Sequence, residues 1–83
     1  MSDTAANIVG LIGSALFVAA YLYSNVAKRI DFRLFNAANL VGAVLLVLSL
    51  TVHFNLAAMV LEVSWAVIAA FGLVKALRER RSA

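Results

Sequence analysis

Very few side chains in this 83-residue sequence could do chemistry. Between Asn55 and Lys75 the single ionisable group is Glu62, set in an otherwise apolar run. A carboxyl in such a run could carry a proton, accept a hydrogen bond or face a cation. Trp65 follows it at helical spacing, and its indole N–H needs an acceptor when buried. Asn39 and Ser49 lie in the preceding apolar run, and Ser14 and Tyr21 in the first. His53 is the lone histidine and there is no cysteine, so disulfides, zinc–thiolate sites and thiol redox chemistry are excluded. One histidine with one carboxylate makes a poor metal site. No nucleophile–base–acid set and no phosphate loop is present. The expectation is therefore no catalytic residue, no metal, no cofactor and no enzymatic activity.

The elements that must position these groups follow from composition. Hydrophobic residues make up 65% of the chain, charged residues 13%, and the mean hydropathy is +1.01. A soluble domain this short has little core volume and must cover itself with charge, so this much apolar side chain needs lipid. Three apolar runs, residues 7–27, 34–54 and 56–77, each hold about 20 residues, enough to cross a ~30 Å hydrocarbon core at ~1.5 Å per residue. Backbone groups in lipid must be satisfied internally, which makes the runs helices. Residues 28–33 link the first two. His53, Phe54 and Asn55 leave the second link so short that the last two helices form an antiparallel hairpin. The fold expected is all-α: a single integral membrane domain spanning 1–83, a three-helix bundle with a basic tail at 78–83.

Charge sets the orientation. Lys28, Arg29 and Arg33 in the first link, and Lys75, Arg78, Arg80 and Arg81 near the end, account for all seven basic residues. With three spans, both groups fall on one side. The other side carries only Asp3 and His53. The positive-inside rule then places the N-terminus outside and the C-terminus in the cytoplasm. The cations serve as a topology signal or as contacts for anionic lipid headgroups. No basic n-region precedes the first run, which argues against a cleaved signal peptide.

At ~100° per residue, Asn39, Gly42, Ser49 and His53 share one face of the second helix. Glu62, Ala69 and Ala76 nearly eclipse on the third, with Ala58 and Ala66 alongside. Gly10, Ser14, Phe17, Tyr21 and Ser24 form a stripe on the first, and Ala6, Gly10 and Ser14 a small-xxx-small ladder for close helix packing. Depth matching predicts two polar layers, Glu62 with Ser49 and Ser14, and Asn39 with Tyr21, with Trp65 beside Glu62 and Asn36 near the inner headgroups. An ionised carboxyl near the bilayer centre costs roughly 2.5–3.5 kcal/mol. Holding glutamic acid neutral at pH 7, from an ordinary value near ~4.3, costs about 3.7 kcal/mol. The two are comparable, so sequence leaves the charge state of Glu62 open, along with the choice between a functional group and a packing determinant. His53, at the end of its helix, fits a wet interfacial histidine better than a proton relay.

The scattered pattern Ala20-Tyr21, Asn39 with Gly42, Ser49-Leu50, Asn55, and Glu62 before Trp65 resembles a family of short, uncharacterised three-helix bacterial inner-membrane proteins, some loosely called permeases. The resemblance covers about residues 8–77 and implies a multi-pass protein of the bacterial inner (plasma) membrane, without an activity. The chain is also similar in length and helix number to SemiSWEET-type half-transporters, which work as parallel dimers. Their Pro-Gln signature is missing, there is no proline for their hinges, and Asn55 lies in a loop rather than within the third helix. Two functions are expected to compete. One is an oligomerising or accessory subunit, its partners the lipid bilayer and either further copies or a larger membrane complex, with no nucleic acid. The alternative is a half-transporter for a small solute or proton, assembled as a parallel dimer around Glu62 and Asn39.

Overall fold

The computed structural model describes the backbone of residues 1–82 and the side chains of residues 1–79. Three helices make up the chain: α1 Asp3–Val26, α2 Phe32–Leu50 and α3 Leu56–Ser82. Each begins on a polar cap. The Ser2 hydroxyl accepts from the Ala5 N–H at 3.1 Å, and the Asp31 carboxylate accepts from the Arg33 and Leu34 amides at 3.0 and 3.3 Å. The Asn55 side-chain oxygen accepts from the Ala58 N–H at 3.1 Å. Such caps satisfy amides that the first turn of a helix leaves without partners. Across the first link, the Tyr23 hydroxyl accepts from the Asp31 N–H at 2.7 Å and ties the end of α1 to the start of α2.

Helix limits differ from the sequence expectation at each run. α1 starts at Asp3 rather than residue 7, because Ser2 supplies a cap four residues earlier. α2 ends at Leu50 rather than residue 54. There the Thr51 hydroxyl donates to the Leu48 carbonyl at 2.6 Å and the chain turns, leaving His53 and Phe54 outside the helix. α3 continues to Ser82, so the basic tail expected from residue 78 is helical as far as the described residues go. Hydropathy marks where an apolar run stops; it carries no information about a cap or a polar extension of the same helix.

α2 lies between the other two helices and packs against both, while the Cα atoms of α1 and α3 nowhere approach within 8 Å. The molecule is elongated, 45 × 23 × 20 Å. Its interior is built from very small residues: Ala6, Ala20, Ala43 and Ala69 are buried with Gly13 and Gly42, and among the described residues no large side chain is fully enclosed. A Cβ on Gly13 would stand 2.8 Å from the Gly42 carbonyl oxygen, so at this crossing the α1 and α2 backbones touch. Large apolar residues point the other way. Leu11, Val18, Leu22, Val67, Ile68 and Phe71 are all more than half exposed. That distribution is the reverse of a water-soluble domain, in which such side chains fill the core. All three helices are long and apolar enough to cross a membrane.

The seam on α1 also departs from expectation. Ala6, Gly13 and Ala20, a heptad apart, are its buried line, with Gly10, Phe17 and Ser24 beside it, whereas Ser14 and Tyr21 are exposed. The helix seats on the residue that lets backbones come closest, Gly13, and this rotates Ser14 outward. The ladder survives only at Ala6 and Gly10. On α3 the eclipsed set holds, with Glu62 and Ala69 buried and Ala58, Ala66 and Ala76 half-buried.

Candidate functional site

Two polar side chains are buried among the described residues, Asn39 at 6% exposure and Glu62 at 8%, and both lie where α2 and α3 pack. Asn39 bonds both within its own helix and to its neighbour. Its side-chain N–H donates to the Phe35 carbonyl one turn back at 2.9 Å, and its oxygen accepts from the Trp65 indole N–H at 3.0 Å. The second bond crosses from α3 to α2. Trp65 in turn meets Phe17 of α1, with ring centroids 5.7 Å apart and planes inclined at 45°, a tilted arrangement favourable to aromatic pairs. The indole thus links the two outer helices across α2.

Around this link Phe17, Tyr21, Phe35, Asn39 and Trp65 line a cavity of about 240 Å³. Tyr21 and Asn39 do share this cavity, as their depth suggested, but no hydrogen bond joins them. Tyr21 is 73% exposed, and its backbone carbonyl accepts from Ser24 and Asn25. Trp65 keeps 44% exposure and sends its N–H to Asn39 rather than toward Glu62. Helical spacing put the indole on the right face; the side chain reaches away from its neighbour along the helix axis.

The layer expected around Glu62 does not form. The Ser49 hydroxyl donates to the Ala6 carbonyl of α1 at 2.8 Å, and so serves the α1–α2 seam instead. Ser14 is exposed in a groove with Asn7, Gly10, Leu11, Leu46 and Ser49. Glu62 itself makes no hydrogen bond or ion pair, and its Oε2 is a buried atom without a partner. Native structures rarely leave such an atom unsatisfied.

Asn36 belongs to this seam too. Its amide donates to the Phe32 carbonyl at 2.8 Å and lies so close over Gly72 that a Cβ there would collide with it. The spacing of Asn36 and Asn39 on one face of α2 was the available signal for this role. Phe17 was legible only as a member of a helix face, and Tyr23 was not singled out; the Tyr23 contact depends on where the chain turns. Among the basic residues, Lys28 and Arg29 are exposed and Arg33 is half-buried, and Arg78 is exposed on α3. Lys75 stands 4.0 Å from Glu79 in an exposed pair. The side chains of Arg80 and Arg81 lie outside the described residues. His53 is exposed in the turn, and no cluster of His, Cys, Asp and Glu able to hold a metal occurs among the described residues.

No curated protein and no solved structure matches the sequence. One family model does, over residues 6–81, which takes in nearly the whole helical hairpin array and every buried polar group described above. On that match the chain belongs to a small uncharacterised family, in keeping with the resemblance drawn from its scattered motifs.

Proposed function

We propose that the chain is an integral subunit of the bacterial inner membrane, N-terminus outside and C-terminus cytoplasmic, that works by assembling with further copies of itself or with a larger membrane complex. One observation carries this: the helices form an open row around α2, sealed by alanine and glycine, with nearly every large apolar side chain turned outward. Lipid suits those outward faces, and so do other helices. Lys28, Arg29 and Arg33 at one link, with the basic end of α3, support the orientation. The protein performs no catalysis on this reading and needs no cofactor.

Purification from native membranes in mild detergent, with intact-mass measurement of the complex, tests the assignment. A defined oligomer or a constant co-purifying membrane protein is expected. A monomer that remains alone after cross-linking in the membrane refutes it. The half-transporter reading is favoured by a separate observation, the cavity lined by the buried Asn39. Reconstituted vesicles decide it: solute or proton flux that E62Q and N39L abolish supports transport, and absence of flux from the well-assembled parent removes it.

A further inference from the structure

We infer that Glu62 is a proton-binding site: a carboxylic acid that holds its proton within the α2–α3 packing. The inference rests on the membrane placement proposed above, and on neither the subunit nor the transporter role. Glu62 is 8% exposed, its Oε2 is closed off, and no hydrogen-bond donor or cation meets either oxygen. An ionised carboxylate in that setting has nothing to offset its lost hydration, and such a group takes up a proton instead.

The surrounding elements offer no counter-charge. On α2 the ionisable residue is Arg33, beyond Asn36, which itself packs on Gly72, ten residues or ~15 Å along α3 from Glu62. On α3 the next is Lys75, thirteen residues or ~20 Å away, paired with Glu79. On α1 these groups are Asp3, Tyr21 and Tyr23; Asp3 and Tyr21 are exposed, and the Tyr23 hydroxyl is engaged by Asp31. His53 and the Asp31 cap lie in the two connections, and both are exposed. A proton satisfies the group without parting the helices.

Carbodiimides test this directly, because they consume the acid form. The carboxyl proton moves to a carbodiimide nitrogen and the carboxylate oxygen adds to the central carbon. The resulting O-acylisourea rearranges by acyl migration to a stable N-acylurea, with no leaving group. The full chain in lipid bilayers is treated with a hydrophobic carbodiimide or a water-soluble one, then mapped by mass spectrometry. Expected is hydrophobic-reagent labelling at Glu62, at least tenfold above the water-soluble reagent there, and absent in E62Q. Asp3, Asp31 and Glu79, all exposed, show the opposite reagent preference and serve as internal controls.

Infrared spectra of the same samples read the acid without relying on reagent access. A carboxylic-acid C=O band is expected at neutral pH, lost in E62Q at unchanged helicity. A carboxylate spectrum for Glu62, or equal labelling by both reagents, overturns the inference. If the chain fails to enter the bilayer, the membrane placement falls first, and that outcome is visible separately in flotation with vesicles.

Discussion

Replacing Gly10 with alanine should cost more than a methyl group ordinarily would, because of Ser49. The new Cβ would stand 2.7 Å from the Ser49 hydroxyl oxygen, which donates to the Ala6 carbonyl. To make room the hydroxyl must leave that bond. Interhelical hydrogen bonds in membrane proteins contribute about 0.6 kcal/mol on average and up to ~1.7 kcal/mol. Overpacking a tight seam adds about 1–3 kcal/mol. In an S49A background the oxygen is gone and the nearest atom is Cβ at 3.3 Å, a contact relieved by a shift of a few tenths of an ångström. G10A should then be less costly by about the hydrogen-bond energy, ~0.6–1.7 kcal/mol. The assay is a double-mutant cycle on reversible unfolding in lipid–detergent micelles, followed by emission of Trp65, the chain's one tryptophan, which touches α1 through Phe17. Strict additivity of G10A and S49A would refute the assigned contact.

Gly13 gives a harsher test of the same seam. G13A places Cβ 2.8 Å from the Gly42 carbonyl oxygen and 3.1 Å from Leu46, and backbone cannot swing aside, so destabilisation of ~3 kcal/mol or more is expected by the same unfolding assay. A milder effect than G10A would contradict the helix crossing. W65F keeps the ring against Phe17 but leaves the Asn39 oxygen without its donor; a loss of ~0.6–1.7 kcal/mol, absent in an N39L background, is expected. G72A displaces only the end of the Asn36 side chain, so it should cost less than G13A, and N36A should restore most of the loss. Finally, single-cysteine labelling in intact cells should find residue 54 accessible from outside and residue 29 only from within; the reverse pattern would overturn the proposed orientation.

Much of the architecture is legible because apolar runs long enough to cross a membrane stand out in sequence. Three runs of sufficient length appear as three helices, and the heptad line Glu62–Ala69–Ala76 falls on the packed side of α3 as its wheel requires. Side-chain partners are far less legible. Ser49 and Glu62 were expected at one depth, yet the serine turns to α1, because a hydroxyl beside Gly10 finds a backbone carbonyl within reach. Trp65 was rightly expected to need an acceptor but was placed beside Glu62, and the packing of α2 on α3 gives it Asn39 instead. Ser14 was misplaced for a simpler reason: a wheel shows which residues share a face, while the choice of face was made by Gly13.

The central position of α2 has a consequence for how the protein can be taken apart. Each outer helix owes its backbone packing to α2 and none to the other, so the chain divides into two overlapping hairpins, α1–α2 and α2–α3. Severing either connection leaves one intact hairpin and one solitary helix whose docking groove is still displayed. Co-expressed fragments cut at either turn can therefore reunite, whereas removing the middle segment takes away the backbone packing of both its former neighbours.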